Sequence, residues 1–412
     1  MNWPQKKLEL LASNERYSFI GGPFGSKLTS RDYVDHGIPV IRGSNLNNGR
    51  YLDMNDFVYV SDSKVREDLS SNLAKPLDLV FTQRGTLGQV AIIPNDGISD
   101  RYVVSQSQMK LTVDDSKADR IFIYYYFSSR EAIERIMSFT SSSGVPHINL
   151  TVLRNFEVPV PPIETQKHIA TILSGYDDLI ENNRRRIQLL EQSARLLYKE
   201  WFVHLRFPGH EHVKIKDGVP EGWEKTTVGN VSSFISRGIT PKYDEDALGT
   251  VINQKCIRDQ RVTMDLARRQ SREVPPRKLV IYGDVLVNST GQGTLGRVAQ
   301  FLDGIENCTV DSHITIARPN EDVPIFLYSQ HITSMEDYLA SMGRGATNQT
   351  ELSKDVVAEL PFLQPPHLLA EQFESFAKDT ADQVRNLTQQ NAMLTKARDL
   401  LLPRLMNGEV VV

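Results

Sequence analysis

From Glu164 to about Leu205, apolar side chains fall at Ile169, Leu173, Tyr176, Ile180, Ile187, Leu190, Ala194, Leu197 and Trp201, in alternating steps of four and three. That spacing is the heptad seam of a coiled coil, and it predicts a helix roughly 60 Å long at 1.5 Å per residue. Asn183 takes the one seam position left polar, in a stretch with no proline and only Gly175. A single polar seam residue is a device for fixing register. A second stretch, His367 to about Leu402, puts Phe373, Ala377, Thr380, Val384, Leu387, Leu394 and Leu401 on the same template, with Asn391 in the seam. Neither stripe can be buried by its own helix, so the two are expected to pack on each other, antiparallel if a two-fold axis relates them.

The stretches before each helix pattern are mixed. Short β-like runs such as Pro39-Val40-Ile41, Leu79-Val80-Phe81, Val90-Ala91-Ile92-Ile93 and His313-Ile314-Thr315-Ile316-Ala317 alternate with Gly, Asn, Asp and Ser turns. Helical stretches are predicted from Ala118 to Met137 and from Pro324 to Met342. A connector rich in Pro, Gly and His runs from Phe207 to Gly222. The expected organisation is a mixed domain over 1–162, a long helix over 163–206, the connector over 207–222, a second mixed domain over 223–365 and a second long helix over 366–412. The fold class is α+β, two globular mixed domains related by pseudo-two-fold symmetry and joined by two long helices as an antiparallel coiled coil.

The two halves repeat. Gly85-Thr86-Leu87-Gly88-Gln89-Val90-Ala91 returns as Gly293-Thr294-Leu295-Gly296-Arg297-Val298-Ala299, each behind an apolar run. Trp3 with Leu8 and Leu11 is echoed by Trp223 with Val228 and Val231, and Pro161-Pro162 by Pro365-Pro366. The landmarks keep their order at offsets drifting from 220 to 204 residues, so half the chain is one duplicated unit. A protein made of two copies of one unit should have pseudo-two-fold symmetry and a target with two similar parts.

Composition narrows the class. Lys and Arg number 47 against 51 Asp and Glu, a net charge of -4, which argues against a lone nucleic-acid binder unless the cations cluster. They do cluster between Lys255 and Arg297, at Arg258, Arg261, Arg268, Arg269, Arg272, Arg277 and Lys278, opposed only by Asp259, Asp265, Glu273 and Asp284. Cys256 and Cys308 make neither a disulfide framework nor a metal cluster and read as small buried residues. No run approaches bilayer-spanning length and no signal-like segment opens the chain, so a cytoplasmic protein is expected.

Gly291-Gln292-Gly293-Thr294-Leu295-Gly296 fits a dinucleotide fingerprint, with Asp311 further on. The following Arg297-Val298-Ala299-Gln300-Phe301-Leu302 reads as a strand, whereas phosphate binding there requires a helix amino terminus. A nucleotide-binding enzyme using Gly291, Gly293 and Gly296 is therefore the minor alternative, and a glycine-rich hairpin the main one. Thr82, Gln83, Arg84 and Thr86 in the first copy, and Asn288, Ser289, Thr290, Gln292 and Thr294 in the second, are side chains that pair with base edges, though each also suits an ordinary turn. The copies share glycines and differ at polar positions, as two readers of different sequences would. Tyr124-Tyr125-Tyr126-Phe127 reads as domain core ahead of a base-stacking platform, and Arg184-Arg185-Arg186 as a solvated helix face. There is no Walker loop, no nucleophile elbow, no metal spacing among nine histidines, and no Asn or Asp before the Pro-Pro pairs, which follow Val160, Val274 and Gln364.

Duplicated variable domains separated by long helices, together with Trp201-Phe202-Val203-His204-Leu205-Arg206-Phe207-Pro208-Gly209-His210-Glu211 and Pro220-Glu221-Gly222-Trp223, closely resemble specificity subunits of type I restriction-modification systems. Thr290 to Gly296, Asp311-Ser312-His313 and Gly345 to Leu352 resemble a target recognition domain of that family, as do Gly22 to Leu28 and Arg42-Gly43-Ser44-Asn45-Leu46. The resemblance covers essentially the whole chain. It implies that each domain reads one half of an asymmetric bipartite site in double-stranded DNA, that the helices set the unread gap and dock two methyltransferase subunits, and that a restriction and translocation subunit completes the complex. Catalytic groups, S-adenosylmethionine, ATP and Mg would then sit on those partners, and this chain would be non-catalytic and bind no cofactor or metal. An orphan subunit serving methylation only, and a helical scaffold that reads no sequence, stay open beside it. Polarity and position, not the resemblance, nominate the DNA contacts: Lys27, Arg42, Thr82, Gln83, Arg84, Thr86, Ser105, Gln106, Ser107 and Gln108 in one domain, and Arg237, Lys242, Asn253, Lys255, Ser289, Thr290, Gln292, Thr294, His313, Asn348 and Gln349 in the other.

Overall fold

The computed structural model describes residues 3–46, 49–140, 145–343 and 351–410, in two compact units, residues 1–184 with 388–412 and residues 185–387. The first unit holds β1 (Phe19–Gly21), β2 (Ile38–Ile41), β3 (Leu79–Thr82), β4 (Val90–Ile92), β5 (Tyr102–Val104) and β6 (Gln108–Leu111). An antiparallel sheet runs β1-β6-β3-β4, and β2 pairs parallel with β5 in a second sheet. The helices are α1 (Arg120–Ser128), α2 (Arg130–Ser138) and the start of α3 (Ile163–Tyr198).

The second unit repeats this topology with β7 (Ser232–Arg237), β8 (Gly249–Ile252), β9 (Arg268–Gln270), β10 (Val285–Asn288), β11 (Val298–Gln300), β12 (Cys308–Val310) and β13 (Ile314–Pro319). Its antiparallel sheet runs β7-β13-β10-β11, and β8 pairs parallel with β12. Helices α4 (Ile325–Ser334) and α5 (Glu336–Ser341) follow, then α6 (His367–Met406).

The continuous apolar runs are strands buried on both faces. Leu79 and Phe81 of β3 join a core with Phe122, Tyr125 and Phe127, while Val80 points into another with Ile41 and Tyr102. In the second unit Val285 and Val287 face Phe326 and Tyr328, and Leu286 faces Ile252 and Val310. Tyr124, Tyr125, Tyr126 and Phe127 are all buried, so the aromatic run is core. Both cysteines are free and buried.

The single helix expected from Ala118 to Met137 is two. Ser129 is extended, and its side chain accepts the Ala132 N–H to cap α2; hydroxyl residues favour such caps over helix interiors. The stretch from Pro324 breaks likewise at Met335. Pro324 offers α4 no side-chain cap; instead the Glu374 carboxylate of α6 accepts the Phe326 and Leu327 N–H groups at 2.9 and 3.1 Å. Gln166 of α3 plays a related part, its Oε1 accepting the N–H of Asp119, the cap of α1.

Within each unit the long helices pack antiparallel. In the first, Ile169 and Leu173 share a core with Leu402 and Leu405, and Asn183 Nδ2 donates to Asn391 Oδ1 at 3.0 Å while Asn391 Nδ2 donates to the Ile180 carbonyl. In the second, the Phe373 ring packs on Tyr198 and Phe202. Ile180, Ile187, Ala194, Ala377 and Leu387 are buried, and Tyr176, Leu190, Leu197, Trp201, Val384, Leu394 and Leu401 half-buried. The seam departs from its template at Arg398, ion-paired to Asp177 at 2.5 Å, with the Tyr125 hydroxyl donating to the same carboxylate. Beyond it the buried face turns to Leu402, Leu405 and Met406.

Candidate nucleic-acid interface

The repeated glycine motif is a turn scaffold. Gly85, Gly88, Gly293 and Gly296 all have φ between +72° and +99°, and a side chain on Gly296 would meet the Ala340 backbone N at 2.4 Å; only glycine takes such positions freely. After Gly296 the chain enters β11, paired with β10, so the motif is a hairpin and the segment that follows its last glycine is a strand, not a helix. A second shared glycine, Gly22 or Gly238, lies so close to the opposite turn that a Cβ would sit 1.9 or 2.0 Å from the carbonyl of Ser105 or Val310.

These contacts gather the predicted residues of the first unit at one end of its sheets. The N–H groups of Gln83 and Arg84 donate to the Ser107 carbonyl at 2.7 and 3.3 Å, and the Ser105 N–H to that of Ile41, next to Arg42. Gln106 Nε2 reaches the carbonyls of Gly25 and Leu28 at 2.6 and 3.1 Å, holding the turn that carries Lys27. Lys27, Arg84, Thr86 and Gln106 are exposed, and Gln83, Ser105 and Ser107 half-buried. Arg42 is also half-buried, its Nη2 on the Asp56 carbonyl at 3.1 Å.

In the second unit Gln254 Nε2 donates to the carbonyl and hydroxyl of Thr290 at 2.5 and 2.6 Å, and Thr290 Oγ1 lies 2.8 Å from His313 Nδ1. The Asp311 carboxylate accepts the His313 N–H at 2.9 Å, and burial raises its pKa above the ordinary range. Asn253 Oδ1 accepts the Lys255 N–H, and Arg237 is ion-paired with Glu351 and donates to the Leu352 carbonyl. Thr294 Oγ1 donates to the Thr290 carbonyl at 3.3 Å. Lys242, Lys255, Gln292 and His313 are exposed. Gln254 was not among the predicted residues; its only sequence signal is its place between Asn253 and Lys255.

Three nominated side chains face inward. Thr82 and Gln108 pair across β3 and β6, both buried, and Ser289 is buried with its Oγ 2.6 Å from Thr315 Oγ1. Strand alternation turns Thr82 and Gln108 to the interior, and Ser289, one residue past β10, is held there by Thr315 and by its own N–H on the His313 carbonyl. His313 lies in the turn before β13 and not in a strand. Asn348, Gln349 and most of the Gly345 to Leu352 segment lie outside the described residues. The basic segment is partly consumed internally: Arg261 is bidentate to Glu191 at 2.8 and 2.7 Å, Lys278 Nζ bonds the Gly238 carbonyl, and Arg269 bonds Leu248 and Thr250. Arg258, Arg272 and Arg277 are exposed. Among the described residues no group of three or more His, Cys, Asp or Glu is placed to hold a metal ion, and no helix is long and apolar enough to cross a membrane.

A family model described as the type I restriction modification DNA specificity domain matches residues 21–192. The MjaIX specificity subunit of Methanocaldococcus jannaschii is 23% identical, over 100% of this chain and 94% of its own, and the HindI specificity subunit of Haemophilus influenzae is 23% identical, over 89% and 94%. The S subunit structure from M. genitalium superposes with a TM-score of 0.59 at 16% identity, covering 98% of this chain and 96% of that one. The chain is similar over its whole length to type I restriction-modification specificity subunits, and residues 21–192 match that family's DNA specificity domain. In this chain the duplicated turn scaffold displays unlike side chains in its two copies, Arg84 and Gln106 in one and His313 and Gln292 in the other.

Proposed function

We propose that each unit reads one half of an asymmetric bipartite site in double-stranded DNA through the loops gathered at its strand ends. The observation that carries this reading is the repeated scaffold with different polar groups on it: glycines and backbone contacts are kept, while the side chains able to meet base edges change. Arg84, Gln106, Gln292 and His313 would read bases; Lys27, Lys242 and Lys255 would meet phosphates. Thr82, Gln108 and Ser289 would act indirectly, by holding the turns.

The long helices would set the unread gap and dock two methyltransferase subunits. Leu189, Leu196 and Val203 lie seven residues apart on α3 and the turn after it, all more than half exposed, a stripe suited to a helical partner. Those partners would bring S-adenosylmethionine and flip the target adenine for N6 methylation; a translocating restriction subunit would use ATP and Mg. A net charge of -4 fits a reader whose partners share the phosphate contacts.

The test is a genome-wide map of N6-methyladenine with and without the gene. Loss of methylation at one bipartite motif is expected; an unchanged map would sink the reading.

A further inference from the structure

We propose that Phe24 is an aromatic contact to the DNA bases, packing against a base step in the half-site of the first unit; this rests on the DNA-reading function proposed above. Phe24 is 86% exposed, the most exposed large apolar side chain among the described residues. It does not sit on a loose loop. The Gly22 N–H donates to the Gln108 carbonyl at 2.9 Å just before it, and Gln106 Nε2 grips the carbonyls of Gly25 and Leu28 just after it. The chain is thus held on both sides of a ring that makes no ring or cation contact among the described residues.

The second unit supplies an internal comparison. The loops leaving Gly22 and Gly238 each carry one aromatic and one lysine, Phe24 with Lys27 and Tyr243 with Lys242. Tyr243, 45% exposed against 86% for Phe24, has a partner within the chain: the Arg268 guanidinium lies 3.5 Å from its ring centroid, and its backbone bridges to Gln270. At the corresponding loop of the first unit the ring is left bare. Its neighbours favour nucleic acid as the missing partner. Lys27 lies on the same turn, and the loop is bonded to the Ser105–Gln108 turn, itself joined to Gln83 and Arg84. Phenylalanine has no group to read a base edge, but its face stacks on any base and its bulk can wedge a base step open.

The test uses the full chain co-expressed with its methyltransferase partner, comparing wild type with Phe24→Ala and Phe24→Leu on cognate duplexes that carry 2-aminopurine at successive half-site positions. Phe24→Ala should weaken cognate binding roughly 5- to 100-fold. The slope of affinity against salt should stay unchanged, because no phosphate contact is lost. A fluorescence change at one step should appear with wild type, shrink with Phe24→Leu and vanish with Phe24→Ala. Equal cognate affinity for Phe24→Ala would overturn the proposal, and so would loss of the methyltransferase from the purified complex, which would make Phe24 a protein contact. Failure of the wild-type complex to prefer any bipartite duplex would overturn the reading function itself, and is seen before any variant is examined.

Discussion

Asp78 and Asp284 occupy the same place in the two units, just before β3 and β10, and both are fully buried. Their counter-charges come from different positions. Lys110 Nζ and the Thr112 hydroxyl meet Asp78 at 3.1 and 2.5 Å, whereas Arg318 is bidentate to Asp284 at 2.7 Å. Asp284→Ala would leave the Arg318 guanidinium half-buried without its carboxylate, and should cost about 3 kcal/mol in urea unfolding. An effect under about 1 kcal/mol would mean that water replaces the carboxylate. At the turns, Arg84→Ala should change preference at one half-site and leave the other intact; equal loss on all DNA would make Arg84 a phosphate contact. Such roles are only half legible in sequence. Polar type and position nominated Thr82, Gln108 and Ser289 as readily as Arg84, but Thr82 and Gln108 lie in strands buried on both faces, and Ser289 follows directly on a third. Gln254 was missed because its partner Thr290 is 36 residues away and no local pattern announces that pairing.

The long helices were the most legible elements, because a heptad repeat specifies both the helix and the face it buries. What the pattern missed was the ion pair of Arg398 with Asp177, where the seam accepts charge because the carboxylate is also held by Tyr125. The breaks at Ser129 and Met335 were equally hidden, since both flanking segments carry helix-like apolar spacing and the decision rests on a cap and on tertiary packing. The Asn183 and Asn391 pair makes a testable layer. Asn391→Leu alone strands the Asn183 amide in an apolar seam and should cost about 1–3 kcal/mol. Adding Asn183→Leu should recover most of that, and a double-mutant cycle measures the coupling; additive losses would show that the asparagines do not act as a pair. Elsewhere α4 carries His331, bonded to the Tyr198 hydroxyl at 2.9 Å, with burial pushing its pKa down to about 4. Above the unfolded value near 6.5 both states are neutral and nothing is lost. As pH falls from about 6.5 towards 4 the unfolded chain takes up the proton first, so folding should weaken by about 3 kcal/mol across that window. His331→Phe should flatten this acid dependence, read as urea midpoints between pH 7 and 4; an unaltered dependence would assign it to carboxylates instead.

At the scale of the whole molecule, the duplication was readable because the glycine turns and apolar runs are steric requirements met twice, whereas the bases that each unit would read were not, because the polar side chains differ between the two copies of that scaffold. The same separation suggests that gap and half-sites can be changed independently. Around Asn183 and Asn391 the helices face each other in antiparallel register, so removing Arg184–Leu190 from α3 and Val384–Gln390 from α6 takes one heptad from each and keeps the remaining seam in phase. Each helix shortens by about 10 Å, and no loop, strand or nominated base-contacting residue is touched. Methylation mapping of a strain carrying this double deletion should return the same two half-sites across a shorter gap, and a one-heptad insertion at the same positions should lengthen it. Altered half-sites would mean that the helices also orient the reading loops. An unchanged gap would remove the helices as the ruler and leave the spacing to the docked methyltransferases, in which case the part of the exposed stripe that the deletion spares, Leu196 and Val203, becomes the place where spacing is decided.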